Sequence, residues 1–187
     1  IEYNSLNFLR INNFKNIPTP VDKNNFFNVG LYEYLEGKSI TRPSKNNIKS
    51  ALLFIENLRD LYKKNHKDFN HKASEACFNY TSLIFQIEGK LKSLNDLKFK
   101  KKINLFILNK LTPLWNRLKK DSFLNWPRNN INNNLNKNNL TFSPSDFGFH
   151  NSLIKNNKVQ FIDFEYFGYD DPVKIISDFL WHPSMNI

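Results

Sequence analysis

Two short stretches concentrate the side chains able to do chemistry. They are Ser143-Pro144-Ser145-Asp146-Phe147-Gly148-Phe149-His150-Asn151 and Phe161-Ile162-Asp163-Phe164-Glu165-Tyr166. Asn151 follows Asp146 by five residues, and Asp163 closes the apolar run Val159-Gln160-Phe161-Ile162. A carboxylate on a loop can take the proton of a hydroxyl. An Asn amide oxygen with a second Asp supplies the hard oxygen ligands that Mg²⁺ prefers. Burying a carboxylate at the end of an apolar strand is costly without a partner, and a cation is a natural one. Taken singly, Asp146 and Asn151 could be turn residues with Asx capping, and Asp163 a strand-end turn former. The combination, with Glu165-Tyr166 close behind, points to a site.

The elements that must position these residues can be read from periodicity. Glu2 to about Asn13 predicts a short helix with Leu6, Leu9 and Ile11 apolar and Asn12-Asn13 as its stop. Ile17-Pro18-Thr19-Pro20-Val21 predicts an extended connector, because each proline biases its predecessor away from the helical region. Phe26 to Leu35 predicts a strand ending at Gly37. Ser44 can cap a helix to about His66, with Ile48, Ala51, Leu52, Ile55 and Leu58 on one face. Two further helices are expected, over roughly 72–94 and 100–120, the second kinked by Pro113. The Asn-rich stretch 125–139 predicts a surface loop. Strands near 152–154 and 159–164 should flank an Asn156-Asn157 hairpin turn, and Pro172 should open a last helix toward Trp181.

Composition narrows the class. The 187 residues are 40% hydrophobic, enough for a core and too many for a wholly disordered chain. One cysteine, Cys77, excludes an intrachain disulfide framework and suits a reducing compartment, so a cytoplasmic location is expected. No stretch reaches the roughly 18 apolar residues of a membrane span, and no membrane partner is expected. The charge is +10, from 27 Lys+Arg against 17 Asp+Glu. Lys and Asn are raised throughout while Arg is rare, so the excess reads as background composition rather than a nucleic-acid footprint. His66, His71 and Cys77 lack a fourth ligand in a regular pattern, and Cys77 falls on an apolar stripe, so zinc is not expected there. The run Lys98–Lys102 reads as a solvated helix start.

The loop and strand together resemble the aminoglycoside phosphotransferase and choline kinase family, relatives of the protein kinases. That family carries H-G-D-x-x-x-x-N and then a strand ending I-D-W/F-E. The resemblance implies that Asp146 is the catalytic Asp, Asn151 a metal-binding Asn and Asp163 a second metal-binding Asp. Tyr166-Phe167-Gly168-Tyr169-Asp170-Asp171-Pro172 fits the turn and Asp-Pro that follow the family's strand, and Asp178 resembles an Asp bracing the catalytic loop. Leu31-Tyr32-Glu33-Tyr34-Leu35-Glu36-Gly37 resembles the hinge, where the carbonyl of Glu33 and the N–H of Leu35 would bind adenine. Glu2 resembles the helix glutamate that pairs with the nucleotide-binding lysine. Asp146-Phe147-Gly148 spells the metal motif of protein kinases. No Asp or Glu lies between Ser122 and Ser145 to serve as the base it would need upstream, so Asp146 reads as the base itself.

The resemblance implies an α+β, protein-kinase-like fold. Residues 1–37 would be the remnant of an N-terminal lobe with the hinge. Residues 38–187 would form a mainly helical C-terminal lobe with a short β-hairpin at its active edge. The expected function is ATP-dependent transfer of phosphate to a small hydroxylated molecule, with ATP and Mg²⁺ as cofactors. Two departures stand out: Pro144 replaces the family's His and Ser145 its Gly. The glycine-rich strand pair and its lysine would precede residue 1, and the chain is expected to be part of a longer protein. A catalytically inactive, kinase-like binding module is the alternative. The basic segment 72–139 favours a neutral or anionic acceptor over a polycation.

Overall fold

A computed structural model describes residues 2–96 and 101–182, which pack as two units. The first comprises residues up to Ala76 together with those from Asn136 onward; the second is Cys77–Leu135.

In the first unit, α1 (Glu2–Ile11) buries Ser5, Leu6 and Leu9. It stops where Asn13 takes a φ of 69°, a left-handed conformation that Asn tolerates. The strand expected over 26–35 is a hairpin instead. β1 (Pro20–Asn24) pairs antiparallel with β2 (Val29–Tyr32). Phe26 and Phe27 sit in the turn because the Asn24 side chain accepts from both of their N–H groups, at 3.0 and 3.1 Å. Local Asx capping overrides the strand preference of two aromatics.

After β3 (Lys38–Ser39), α2 (Lys45–Asn65) begins at the expected cap. Ser44 Oγ accepts from Asn47 N at 3.2 Å, and the Asn47 side chain accepts from Ser44 N at 2.8 Å. Its inner face carries Ala51, Phe54, Ile55, Leu58, Leu61 and Tyr62. These meet an aromatic core: Phe54 packs on Phe14, Phe147 and Phe161, and Phe142 on Phe8, Tyr62, Phe69 and Phe167. β4 (Thr141–Ser143) leads out of that core into the Asp146 loop.

β5 (Ser152–Lys155) and β6 (Lys158–Phe161) form the expected hairpin, and β3 extends its edge. Asn156 and Asn157 have φ of 49° and 61°, the pair of left-handed residues a two-residue turn requires. β7 (Gly168–Asp170) pairs with β4, and α6 (Pro172–Trp181) follows with Asp171 as its cap. The β4–β7 pair was not expected, since three residues on each side carry too little periodicity to read. Gly168 is required there by close approach: a Cβ would lie 2.2 Å from Ala73 N.

The second unit is helical: α3 (Tyr80–Asp96), α4 (Lys101–Phe106) and α5 (Thr112–Asn125). The helix expected from residue 72 starts eight residues later. Residues 71–74 are drawn into backbone pairing, with Tyr169 N donating to His71 O at 2.8 Å and Ala73 N to Tyr169 O at 3.0 Å. Asn79 then caps α3 by accepting from Ser82 N at 2.7 Å. Between α4 and α5 the turn Ile107–Leu111 widens to a π-helix, with Thr112 N donating to Ile107 O. That is how the chain absorbs Pro113, which has no N–H to donate. Within this unit Tyr80 Oη donates to Lys119 O at 3.2 Å. Of the basic run 98–102, positions 98–100 lie outside the described residues, while Lys101 and Lys102 open α4 exposed. No described helix is long and apolar enough to cross a membrane.

Candidate active site

Asp146 sits on the loop between β4 and β5, and three polar contacts shape the approach to it. Ser145 has φ of 75°, the left-handed backbone that the family's glycine would adopt at no cost. Its N–H donates to Ser143 Oγ at 3.0 Å, and its hydroxyl donates to Ser74 O at 2.7 Å. Lys174 Nζ reaches Ser145 O at 3.5 Å. Phe147 and Phe149 are buried on either side of Gly148, so the loop is pinned into the core on both sides of its exposed carboxylate. Pro144 therefore does not leave the loop unbraced: serine hydroxyls and a lysine supply the contacts.

Asn151 joins the two stretches. Its Nδ2 donates to Asp146 O at 3.0 Å and approaches Asp146 Oδ2 at 3.4 Å. Its carbonyl accepts from Ile162 N at 3.0 Å, directly before Asp163. Asp163 itself has φ of 68°. A non-glycine residue held there carries strain, and such positions cluster at functional sites. The next N–H, of Phe164, donates to Glu2 Oε1 at 3.1 Å, so the α1 glutamate fixes the backbone beside Asp163.

Electrostatics suit a cation. Burial pushes the Asp163 carboxyl above the ordinary carboxylate range, and the charges of Glu165 and Asp146 push it further. Carboxylates that raise one another in this way are relieved by a positive ion between them. With its amide nitrogen engaged by Asp146, Asn151 has its side-chain oxygen as the remaining acceptor. The donor set is all oxygen, which fits Mg²⁺.

The hinge candidates lie apart in chemistry. Glu33 N donates to Thr19 O at 2.8 Å, continuing the β1–β2 pairing by one residue. Its carboxylate accepts from the Thr19 hydroxyl and faces Arg10 Nη2 at 3.7 Å. The Thr19 hydrogen bond holds that carboxyl below its usual range. Leu35 is half-buried in the irregular segment after β2. Glu2 and Tyr32 line a neighbouring cavity with Glu165 and Tyr166, which brings α1 and β2 to the strand-end residues.

Asp178 reaches the loop through Lys174, whose Nζ lies 2.6 Å from Asp178 Oδ2 and 3.6 Å from Asp170 Oδ2. Asp170 is fully buried and was not singled out from the sequence. Its Oδ1 accepts from Asp171 N at 2.8 Å, while Oδ2 has no hydrogen-bond donor. Burial, only partly countered by Lys174, pushes its pKa to about 6. The Asp170, Lys174, Asp178 spacing at four-residue steps was the available signal. His150 and His182 were also missed; His150 Nε2 lies 3.0 Å from Asp146 Oδ1.

A cleft of about 610 Å³ opens at Asp146, lined by Ser74, Glu75, Tyr166, Lys174, Asp178 and His182 among others. Its charged lining is Glu75, Asp146 and Asp178 against Lys174, with His182 beside them. Of the basic segment 72–139, Ser74 and Glu75 line this cleft.

No protein-family model and no curated protein sequence matches the chain. Solved structures do. One is the streptomycin–ATP–APH(2'')-IIa ternary complex, with 19% identity over 92% of this chain and 57% of that one and a TM-score of 0.49. Another is amicoumacin kinase hAmiN in complex with AMP-PNP, Ca²⁺ and Ami, with 13% identity over 100% of this chain and 54% of that one and a TM-score of 0.47. The chain spans a little over half the length of each of these two structures.

Proposed function

We propose that the chain carries the hinge and catalytic lobe of an ATP-dependent phosphotransferase acting on a hydroxyl of a small molecule. The observation that carries this reading is Asn151, whose side chain touches Asp146 while its carbonyl holds the strand residue before Asp163. The Asp146 charge that helps raise the Asp163 carboxyl supports reading the three oxygen-bearing side chains as one group.

In this reading Asp146 orients the acceptor hydroxyl in the cleft and takes its proton as the new O–P bond forms and the bond from the γ-phosphorus to ADP breaks. Asn151 and Asp163 are the residues that would hold Mg²⁺, whose charge, when bound, neutralises the phosphates. The carbonyl of Glu33 and the N–H of Leu35 are assigned to adenine. Glu2, Ser143, Ser145 and Lys174 position the backbone around the two aspartates, so that catalysis is chiefly placement and charge stabilisation.

The test is transfer of labelled phosphate from ATP by the full-length protein across a panel of polyols and amino sugars. Asp146→Asn should lower the rate by roughly 10²–10⁴-fold, the usual worth of a general base, while nucleotide binding persists. Unchanged turnover in that variant refutes the assignment of the base. Nucleotide binding with no transfer to any acceptor would favour the inactive binding module.

A further inference from the structure

His150 serves no step in the reaction above, yet it holds one oxygen of the group assigned as the base. Its Nε2 lies 3.0 Å from Asp146 Oδ1 in hydrogen-bond geometry. The other carboxylate oxygen, Oδ2, has Asn151 Nδ2 at 3.4 Å. The second ring nitrogen of His150, Nδ1, is buried with no hydrogen-bond partner. One face of the ring is covered by His182, stacked at 3.8 Å between centroids with 11° between planes. His182 Nε2 stays 3.9 Å from Asp146 Oδ1, beyond hydrogen-bond distance, so His182 buttresses the ring rather than the carboxylate.

We infer that His150 is a positioning residue for Asp146, holding its carboxylate in one orientation by donating from Nε2–H to Oδ1 with Nδ1 unprotonated. In its neutral form the ring carries one proton, and the partners of the two nitrogens decide where it sits. On Nε2 the proton meets a carboxylate oxygen. On Nδ1 it would be a buried donor without an acceptor, and Nε2 would turn a lone pair toward the carboxylate; both effects favour the Nε2–H form. Neither nitrogen is then left to take a proton from an acceptor hydroxyl, since Nδ1 is buried and Nε2 is engaged. His150 therefore acts through Asp146. With Oδ1 engaged, Oδ2 is the more weakly held oxygen and the one open to an acceptor. The catalytic consequence rests on the phosphotransfer reading; the hydrogen bond and its tautomer do not.

The tautomer can be read without any catalysis. In the full-length protein labelled with ¹⁵N-histidine, NMR at mildly alkaline pH should show the ring signals lost in His150→Gln to have a protonated Nε2 and an unprotonated Nδ1. Asp146→Ala should shift that Nε2–H signal. A proton on Nδ1, or a signal indifferent to Asp146→Ala, overturns the proposal whatever the protein catalyses. In the phosphotransfer assay His150→Leu should lower kcat about 10- to 100-fold with little change in KM for ATP, as when a reacting group is misplaced. His150→Gln, whose amide nitrogen can take the place of Nε2, should recover most of that loss. In an Asp146→Asn background His150→Leu should cost nothing further, because its effect passes through the carboxylate. Equal losses in the Leu and Gln variants, or an undiminished loss in the Asp146→Asn background, contradict positioning through Asp146. No transfer by the wild type to any acceptor, with the tautomer as stated, supports the hydrogen bond while removing the reading of Asp146 as a base.

Discussion

At the scale of single residues, the two aspartates near the site differ in what their backbone demands. Asp163 sits in the left-handed region, which Asp and Asn enter more readily than other side chains, at a cost to alanine of roughly 1 kcal/mol. Asp163→Asn should therefore unfold at no lower denaturant concentration than the wild type, while Asp163→Ala should lose about 1 kcal/mol. Equal stability of the two variants would show that the left-handed backbone is not constraining. Asp170 gives a pH signature. Its folded pKa of about 6 lies above the usual 3.8, so the folded state binds the extra proton between those values. This group's contribution is largest at low pH and falls as pH rises from about 4 to 6, by on the order of 3 kcal/mol. The stability difference between wild type and Asp170→Asn, followed by denaturant midpoints from pH 4 to 7, should shift in the variant's favour across that window; a flat difference contradicts it. Asp146, Asn151 and Asp163 can be picked out as candidates because their side-chain types and spacing mark them, and their roles are the proposal above. Asp170 and His182 gain their roles only through packing against distant chain, which spacing does not report.

At the scale of elements, cap and close-approach residues decide boundaries. Ser44→Ala removes the side-chain half of the α2 capping pair, the Oγ that accepts from Asn47 N, and should cost about 1 kcal/mol by chemical denaturation, with an unchanged denaturant dependence. Retained stability would mean the cap is dispensable. Gly168→Ala is a sharper test, because the added carbon meets the backbone of Lys72 and Ala73 rather than a movable side-chain tip. It should cost about 1–3 kcal/mol, and it should slow phosphate transfer, since the displaced segment includes Ser74, the anchor of Ser145. Full activity in that variant would dissociate the 71–74 segment from the catalytic loop. The long helix α2, the Asn-Asn hairpin and α6 were legible from caps, turn residues and period. β1, β3, β4 and β7 were not: β1 falls in the proline-marked stretch that reads as a connector, while β3, β4 and β7 are two or three residues long with partners far off in sequence.

At the scale of the whole molecule, charge and chemistry belong to different units. Residues 77–135 carry eleven Lys and Arg against three Asp and Glu, a net of +8 out of +10, while Asp146, Asn151 and Asp163 all lie in the other unit. The overall charge thus says little about the cleft, whose lining carries three carboxylates against one lysine. The central claim is that the carboxylate of residue 163, steered by Asn151, recruits a divalent ion to a bound nucleotide. Calorimetric titration of AMP-PNP into the full-length protein, with and without Mg²⁺, measures it most directly. Magnesium should tighten nucleotide binding at least tenfold in the wild type and in Asp146→Asn, and that gain should vanish in Asp163→Asn. An undiminished magnesium effect in Asp163→Asn would contradict the claim.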